Sequence, residues 1–255
     1  MTWIGQNSVP AFTGSDLGTI VHKFGSAVLG TSFGPVARGG LYQMLQPAAA
    51  TALRVKAGNA ADTAAGNGAR TIVLEGLDET GAIVTPTLTT AGASASTATT
   101  ETFIRLYRAY VATSGLYANT TGPVESHAAD IVIENGGGGT DWLTIDSTDY
   151  AKGQSEVACY SVPTGKTAYL SSYSITIDSG KTVDLLFMVR ESILDAAAPY
   201  QAMREKLRLV GLDAGQYSYY PRTGNGPYTG PCDLIWMGKG ASSPDVSIDY
   251  EIVLL

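Results

Sequence analysis

Near the end of the chain, Val246-Ser247-Ile248-Asp249-Tyr250-Glu251-Ile252-Val253-Leu254 alternates apolar and polar positions for nearly its whole length. A period of two sets one row of side chains on a core and the other in water, so the stretch predicts a strand of an antiparallel sheet. Residues 157–162, 168–173, 174–178 and 183–190 read as further strands, separated by the turn sequences Pro163-Thr164-Gly165-Lys166 and Asp178-Ser179-Gly180-Lys181. Earlier, Thr71-Ile72-Val73-Leu74-Glu75-Gly76-Leu77 is followed by the turn Asp78-Glu79-Thr80-Gly81 and a returning strand over 82–90. Residues 101–111 make a third strand of this meander, and 129–134 and 141–146 add two more. One stretch is ambiguous: 195–207 can form a short helix capped by Asp195, whereas Lys206-Leu207-Arg208-Leu209-Val210 alternates like a strand, and the reading favoured is a short helical or irregular piece leading into a strand.

Residues 1–56 break the pattern. They are rich in Gly, Ala, Ser and Pro, with apolar islands too short to build a core. Yet Trp3, Ile4, Phe12, Leu17, Phe33, Tyr42 and Leu45 are too many large side chains to leave in water. The expectation is an extended arm that packs on the rest of the chain or on neighbouring subunits, with Trp3, Phe12, Phe33 and Tyr42 as its interface residues. A second interface is expected at a Gly/Pro loop carrying Tyr217, Tyr219, Tyr220 and Tyr228, since Tyr brings much contact area for little lost entropy. The resulting fold class is all-β: antiparallel sandwich or jelly-roll-like domains over 57–150 and 151–255, behind an arm over 1–56.

Composition agrees with that class and narrows the partners. Charged residues make up 15 % of the 255, Gly numbers 30 and Tyr 14, a poor recipe for long helices. The net charge of −7 would repel a phosphate backbone, so no nucleic-acid partner is expected. No apolar run approaches the roughly 20 residues of a membrane-spanning helix, and the first residues lack the basic region and apolar run of a signal peptide, so no membrane partner is expected and synthesis in a reducing cytoplasm is. Cys159 and Cys232 stand outside any CxxC pattern and are read as two free, buried thiols.

No catalytic constellation emerges. Thr164-Gly165-Lys166-Thr167 resembles the end of a phosphate loop, but the motif's earlier glycine is Tyr160 here, and the segment reads as a turn. His22 and His127 lie in no catalytic context, and Asp130, Asp141, Asp146, Asp149, Asp178 and Asp184 sit near strand ends where Asp caps backbone. Trp3, Trp142 and Trp236 with the tyrosines leave a carbohydrate-binding or glycan-degrading module as an alternative, although large aromatic surface is normally buried. The expectation is no enzyme, no cofactor and no metal.

The stretch Asn59-Ala60-Ala61-Asp62-Thr63-Ala64-Ala65-Gly66-Asn67-Gly68-Ala69-Arg70-Thr71, followed by Glu75-Gly76-Leu77-Asp78, resembles a pattern in virion structural proteins of tailed bacteriophages, especially short-tailed phages of aquatic bacteria. Val162-Pro163-Thr164-Gly165-Lys166-Thr167-Ala168-Tyr169-Leu170 is similar to a segment downstream in the same proteins. The resemblance implies a virion component assembled in the host cytoplasm. A capsid decoration (cement) protein on the head surface is the first reading, partnered by the major capsid protein and by itself as a homotrimer. A tail adaptor or fibre component is the alternative.

Overall fold

A computed structural model describes residues 18–39, 49–120, 126–148, 153–195, 197–220 and 225–255. In chain order they form β1 (Thr19–Val28), β2 (Gly34–Pro35), β3 (Thr51–Ala57), β4 (Ala69–Leu77), β5 (Ile83–Val84), β6 (Thr87–Thr89), β7 (Thr102–Phe103) and β8 (Arg105–Ser114). One helical turn, α1 (Tyr117–Thr120), precedes β9 (Ile131–Asn135), β10 (Asp141–Ile145), β11 (Cys159–Val162) and β12 (Thr167–Glu191). The chain continues with β13 (Arg204–Tyr219), β14 (Asn225–Thr229), β15 (Cys232–Gly240) and β16 (Asp245–Leu254). All pairings between strands are antiparallel, and the fold is all-β.

Two compact units divide the chain: residues up to Ala37 together with 157–255, and residues 38–156. The first unit is a sheet of order β1-β16-β12-β15-β11, with β13 and β14 on β12 and β2 on β15. Its central strand shows why one hydrogen-bonded ladder makes a sandwich. Along β12, residues 168–177 pair with β16, while 183–191 pair with β15. Tyr173 and Phe187 are fourteen positions apart on β12, a separation of about 45 Å if the strand ran straight. Both rings nevertheless lie 5.1 Å from the Trp236 indole, so β12 must fold over between them. The fold falls at Asp178-Ser179-Gly180-Lys181, where the ladder with β13 also shifts. Sequence predicts a hairpin turn at these four residues; they instead carry one strand from one sheet of the sandwich into the other. Beside them, the link between β15 and β16 turns the same corner. The Asp245 amide donates to Asp178 Oδ1 at 3.0 Å and Lys181 Nζ to the Ser242 carbonyl at 2.6 Å, stapling the two bends.

Trp236, Tyr250 and Phe187 are fully buried in the sandwich. The alternation predicted for β16 is realised: Val246, Ile248, Tyr250 and Ile252 are buried and Ser247, Asp249 and Glu251 exposed. Between β11 and β12, Lys166 N–H closes a turn on the Pro163 carbonyl at 3.2 Å with Gly165 at φ 77°, as a type II turn requires at its third residue. The phosphate-loop look-alike is this turn.

Of the arm expected over 1–56, the described part, 18–39 and 49–56, is corrected. β1 pairs along its whole length with β16, from Thr19 opposite Leu254 to Val28 opposite Asp245, and β3 belongs to the other unit, paired with β9 and β7. β1 looks core-poor because the side it buries carries Lys23, Gly25 and Ala27, whereas Ile20 and Val28 face water. Gly25 lies against the backbone of 157–158, so close that a Cβ would stand 2.0 Å from the Ala158 nitrogen. Trp3, Phe12 and Tyr42 lie outside the described residues.

Among the described residues of 195–207 no helix forms; the irregular piece leading into a strand is what is found, with β13 beginning at Arg204. Pro199 would fall in the interior of such a helix, where its ring removes a donor and clashes with the preceding turn.

The second unit holds two four-stranded sheets, β10-β9-β3-β7 and β5-β4-β6 with β8 on the other edge of β4. The returning strand predicted for 82–90 is split into β5 and β6 by Pro86, which lacks an N–H for the ladder but offers its carbonyl to Leu74 N–H at 3.0 Å.

Candidate functional site

The loop at 59–70 is folded around one carboxylate. Asp62 is fully buried, and Oδ1 accepts the N–H groups of Ala69 at 2.8 Å and Ala128 at 3.0 Å, while Oδ2 accepts Ala128 at 3.1 Å and Ala129 at 3.3 Å. Small residues are needed because the backbone crowds this group. A Cβ on Gly68 would meet Asp62 Oδ1 at 2.1 Å, and one on Gly66 would meet the Ala61 carbonyl at 2.0 Å. Asn59 starts the turn by accepting Ala61 N–H at 2.8 Å, and Arg70 Nε donates to the Gly66 carbonyl at 2.9 Å. Every polar group of this loop named here is engaged in holding shape.

Of the acids flagged by sequence, Asp130, Asp146, Asp178 and Asp184 do the same. Asp130 accepts the amide and hydroxyl of Ser147 at 2.8 and 2.7 Å, and Asp146 those of Thr148 at 2.6 and 2.7 Å. Asp78 accepts from the amide and hydroxyl of Thr80 and from Ala82 N–H. Its slight burial would raise the pKa, but these hydrogen bonds and one from Gly81 outweigh that and hold it below the ordinary carboxylate range. Asp149 lies outside the described residues. His127 is buried, with Nδ1 3.1 Å from Ser126 Oγ and Nε2 3.2 Å from the Asp146 carbonyl; His22 Nε2 sits 2.5 Å from Asp249 Oδ1 on the surface. Among the described residues no three His, Cys, Asp or Glu side chains gather as a metal site.

Two of the aromatics considered for sugar stacking are removed from that role. Trp142 is buried and donates its indole N–H to Asn135 Oδ1 at 2.7 Å, and Trp236 is the hub of the sandwich core. The expected tyrosine loop also divides. Tyr228 is only 5 % exposed, sits edge-on to Phe187 at 5.8 Å and donates its hydroxyl to Asn225 Oδ1, so it is a core residue and not an interface residue. Tyr217 and Tyr219 belong to strand β13, and Tyr220 follows it, 72 % exposed. Phe33 is partly exposed, with Lys239 Nζ 4.9 Å from its ring centroid.

A stretched-out surface remains. On β12, Tyr173, Ile175, Val183, Leu185 and Phe187 are buried, and their cross-strand partners on β13 are Tyr219, Tyr217, Leu212, Leu209 and Leu207. Directly opposed residues share a face, so these five stand on the core side of the sandwich. The three leucines are half-buried and the two tyrosines exposed, Tyr219 at 52 % although its ring lies tilted 5.3 Å from that of Tyr173. Leu194, Tyr200, Val210 and Tyr220 add to the large apolar groups in water along 194–220. Sequence marked the tyrosines of this surface but not its leucines, whose alternation was divided between a helical and an extended reading.

No protein-family model and no curated protein matches the chain. Among solved structures, a Yersinia pseudotuberculosis-derived mitogen is 15 % identical, over 36 % of this chain and 82 % of its own, with a TM-score of 0.20. The PBSX exported protein XepA is 12 % identical, over 92 % and 86 %, with a TM-score of 0.19. The infectious bursal disease virus VP2 subviral particle gives 10 % identity over 93 % and 72 %, also at 0.19. Likenesses at such scores assign neither fold nor function.

Proposed function

We propose that the chain is a non-enzymatic structural protein of a bacteriophage particle, and within the particle a decoration protein that binds the outer face of the capsid. The observation that supports this reading most is the use made of the 59–70 stretch, the segment that resembles virion proteins. Its buried Asp62 accepts three backbone N–H groups, and its glycines admit close backbone approach; the stretch holds shape and presents no reactive group. A chain whose most specific motif is architectural suits a component whose task is to be rigid and to bind. Packaged DNA presses outward on a thin shell, and a β-rich protein spanning capsomer junctions adds buried area where that shell is weakest. The net charge of −7 suits a basic protein surface better than nucleic acid.

Quantitative mass spectrometry of purified particles tests the reading. A copy number that scales with the capsid lattice is expected, together with saturable binding of the purified protein to undecorated capsids. A few copies, set by the portal or the fibres, would move the protein to the tail, and absence from particles would overturn the proposal.

A further inference from the structure

We propose that two copies of this chain pair edge to edge through β13, antiparallel and about a two-fold axis, with Leu209 of one copy opposite Leu212 of the other. The inference concerns self-association and does not depend on the virion reading.

β13 is sixteen residues long and, among the described residues, pairs on one side only, with β12. Its other edge is a row of backbone donors and acceptors beside a core-side row of apolar side chains that the sandwich leaves partly open, a combination that natural sheets do not normally leave in water. The charge pattern selects the occupant and the direction. Three cations, Arg204, Lys206 and Arg208, and one anion, Glu205, occupy the first five residues, whereas Asp213 and Tyr217 and Tyr219 lie in the far half. Parallel pairing of two such strands would set cations against cations. Antiparallel pairing with Leu209 opposite Leu212 sets Arg208 opposite Asp213 and Arg204 opposite Tyr217, and the two-fold axis makes each pair occur twice.

Both faces agree with this register. Leu209 and Leu212 oppose Leu185 and Val183 and stand on the core side, while Arg208 and Asp213 oppose Leu186 and Thr182 and stand on the outer side. Arg208 is held beside Glu205 and Asp213 accepts the Thr182 hydroxyl at 2.9 Å, both on the exposed surface, so each keeps a partner within its own copy. The closed two-fold arrangement uses up both β13 edges, so growth through this strand stops at two copies.

The test is sedimentation velocity of the full chain over a concentration series, with near-ultraviolet circular dichroism confirming that each variant is folded. A reversible dimer is expected. R208D alone and D213R alone each set like charges opposite one another twice and should weaken the dimer about tenfold; the double variant R208D/D213R should restore it. Hydrogen exchange of 204–219 should slow as concentration rises. A monomer at all concentrations, a cyclic trimer, or a dimer indifferent to both single reversals would overturn the proposal. So would association that appears only after residues 1–17 are removed, since that would give the edge to the chain's own N-terminal segment.

Discussion

Asp62 and Ala128 are sixty-six positions apart, yet the Ala128 N–H lies 3.0 and 3.1 Å from the two carboxylate oxygens of Asp62. The contact ties the 59–70 loop to the segment leading into β9, so a local sequence motif controls a long-range closure.

Asp62→Ala should therefore destabilise the second unit more than an ordinary polar substitution. One buried N–H group, that of Ala69, and two partly buried ones would lose their acceptor at once, at about 1–3 kcal/mol each, and an expected total of about 3 kcal/mol allows for partial relaxation. Urea unfolding followed by hydrogen exchange at the amides of β3, β4 and β9 reads that unit. An unchanged midpoint would show that the loop closes without the carboxylate.

Gly68→Ala should produce much of the same loss, because its Cβ would sit 2.1 Å from Asp62 Oδ1. The two substitutions act on one contact, so the double variant should be less destabilised than the sum of the singles. Additive losses in a double-mutant cycle would show that the glycine serves some other purpose.

Tyr250→Phe should stabilise the sandwich by about 1 kcal/mol or leave it unchanged. The Tyr250 hydroxyl is buried with no hydrogen-bond partner among the described residues, and removing an unsatisfied polar group relieves its desolvation penalty. Thermal unfolding checks this; a clear loss of stability would reveal a partner for the hydroxyl.

Alkaline pH should unfold the sandwich. Burial pushes the Tyr250 hydroxyl well above the ordinary tyrosine range, with Cys159 and Tyr160 adding to it, and burial together with Tyr219 raises Tyr173. A group whose folded pKa is raised contributes stability that is fully present below the unfolded value near 10, and that is lost as pH rises through the folded value. Tyrosinate absorbance should therefore show an exposed class titrating normally and a buried class that appears only as near-ultraviolet dichroism collapses.

The two thiols should be inert in the native state. Both are free and buried; burial, with Asp233 and Glu191 adding to it, pushes Cys232 up to about 12, and burial drives Cys159 higher still. A thiol-reactive dye should label neither until denaturant is added, and rapid native labelling of one would place it nearer the surface.

How far the sequence was legible depended on which atoms do the burying. β16 was plain because large aliphatic and aromatic side chains alternate with Ser, Asp and Glu. β1 was hidden because backbone does its packing: Gly25 meets the main chain of Ala158, and the apolar Ile20 and Val28 point the wrong way for a core. The bend in β12 could not be told from a hairpin, since Asp-Ser-Gly-Lys suits both, and only the partner strands decide which occurs. The 59–70 loop was recognisable as a motif, but its reason lay in N–H groups of Ala128 and Ala129, far along the chain. Tyr228 was grouped with the tyrosines before it by proximity in sequence, although a strand boundary separates it from them.

The pairing of β1 with β16 fixes the order in which the protein can be made. Residues 38–156 contain all the strands of their unit and can close while the ribosome is still adding the remainder. β1, by contrast, is made before that unit and waits for Leu254, its partner at Thr19, before its ladder can form. Until β16 arrives, β1 is therefore a strand without its ladder, and that interval is when its sheet is open to mispairing.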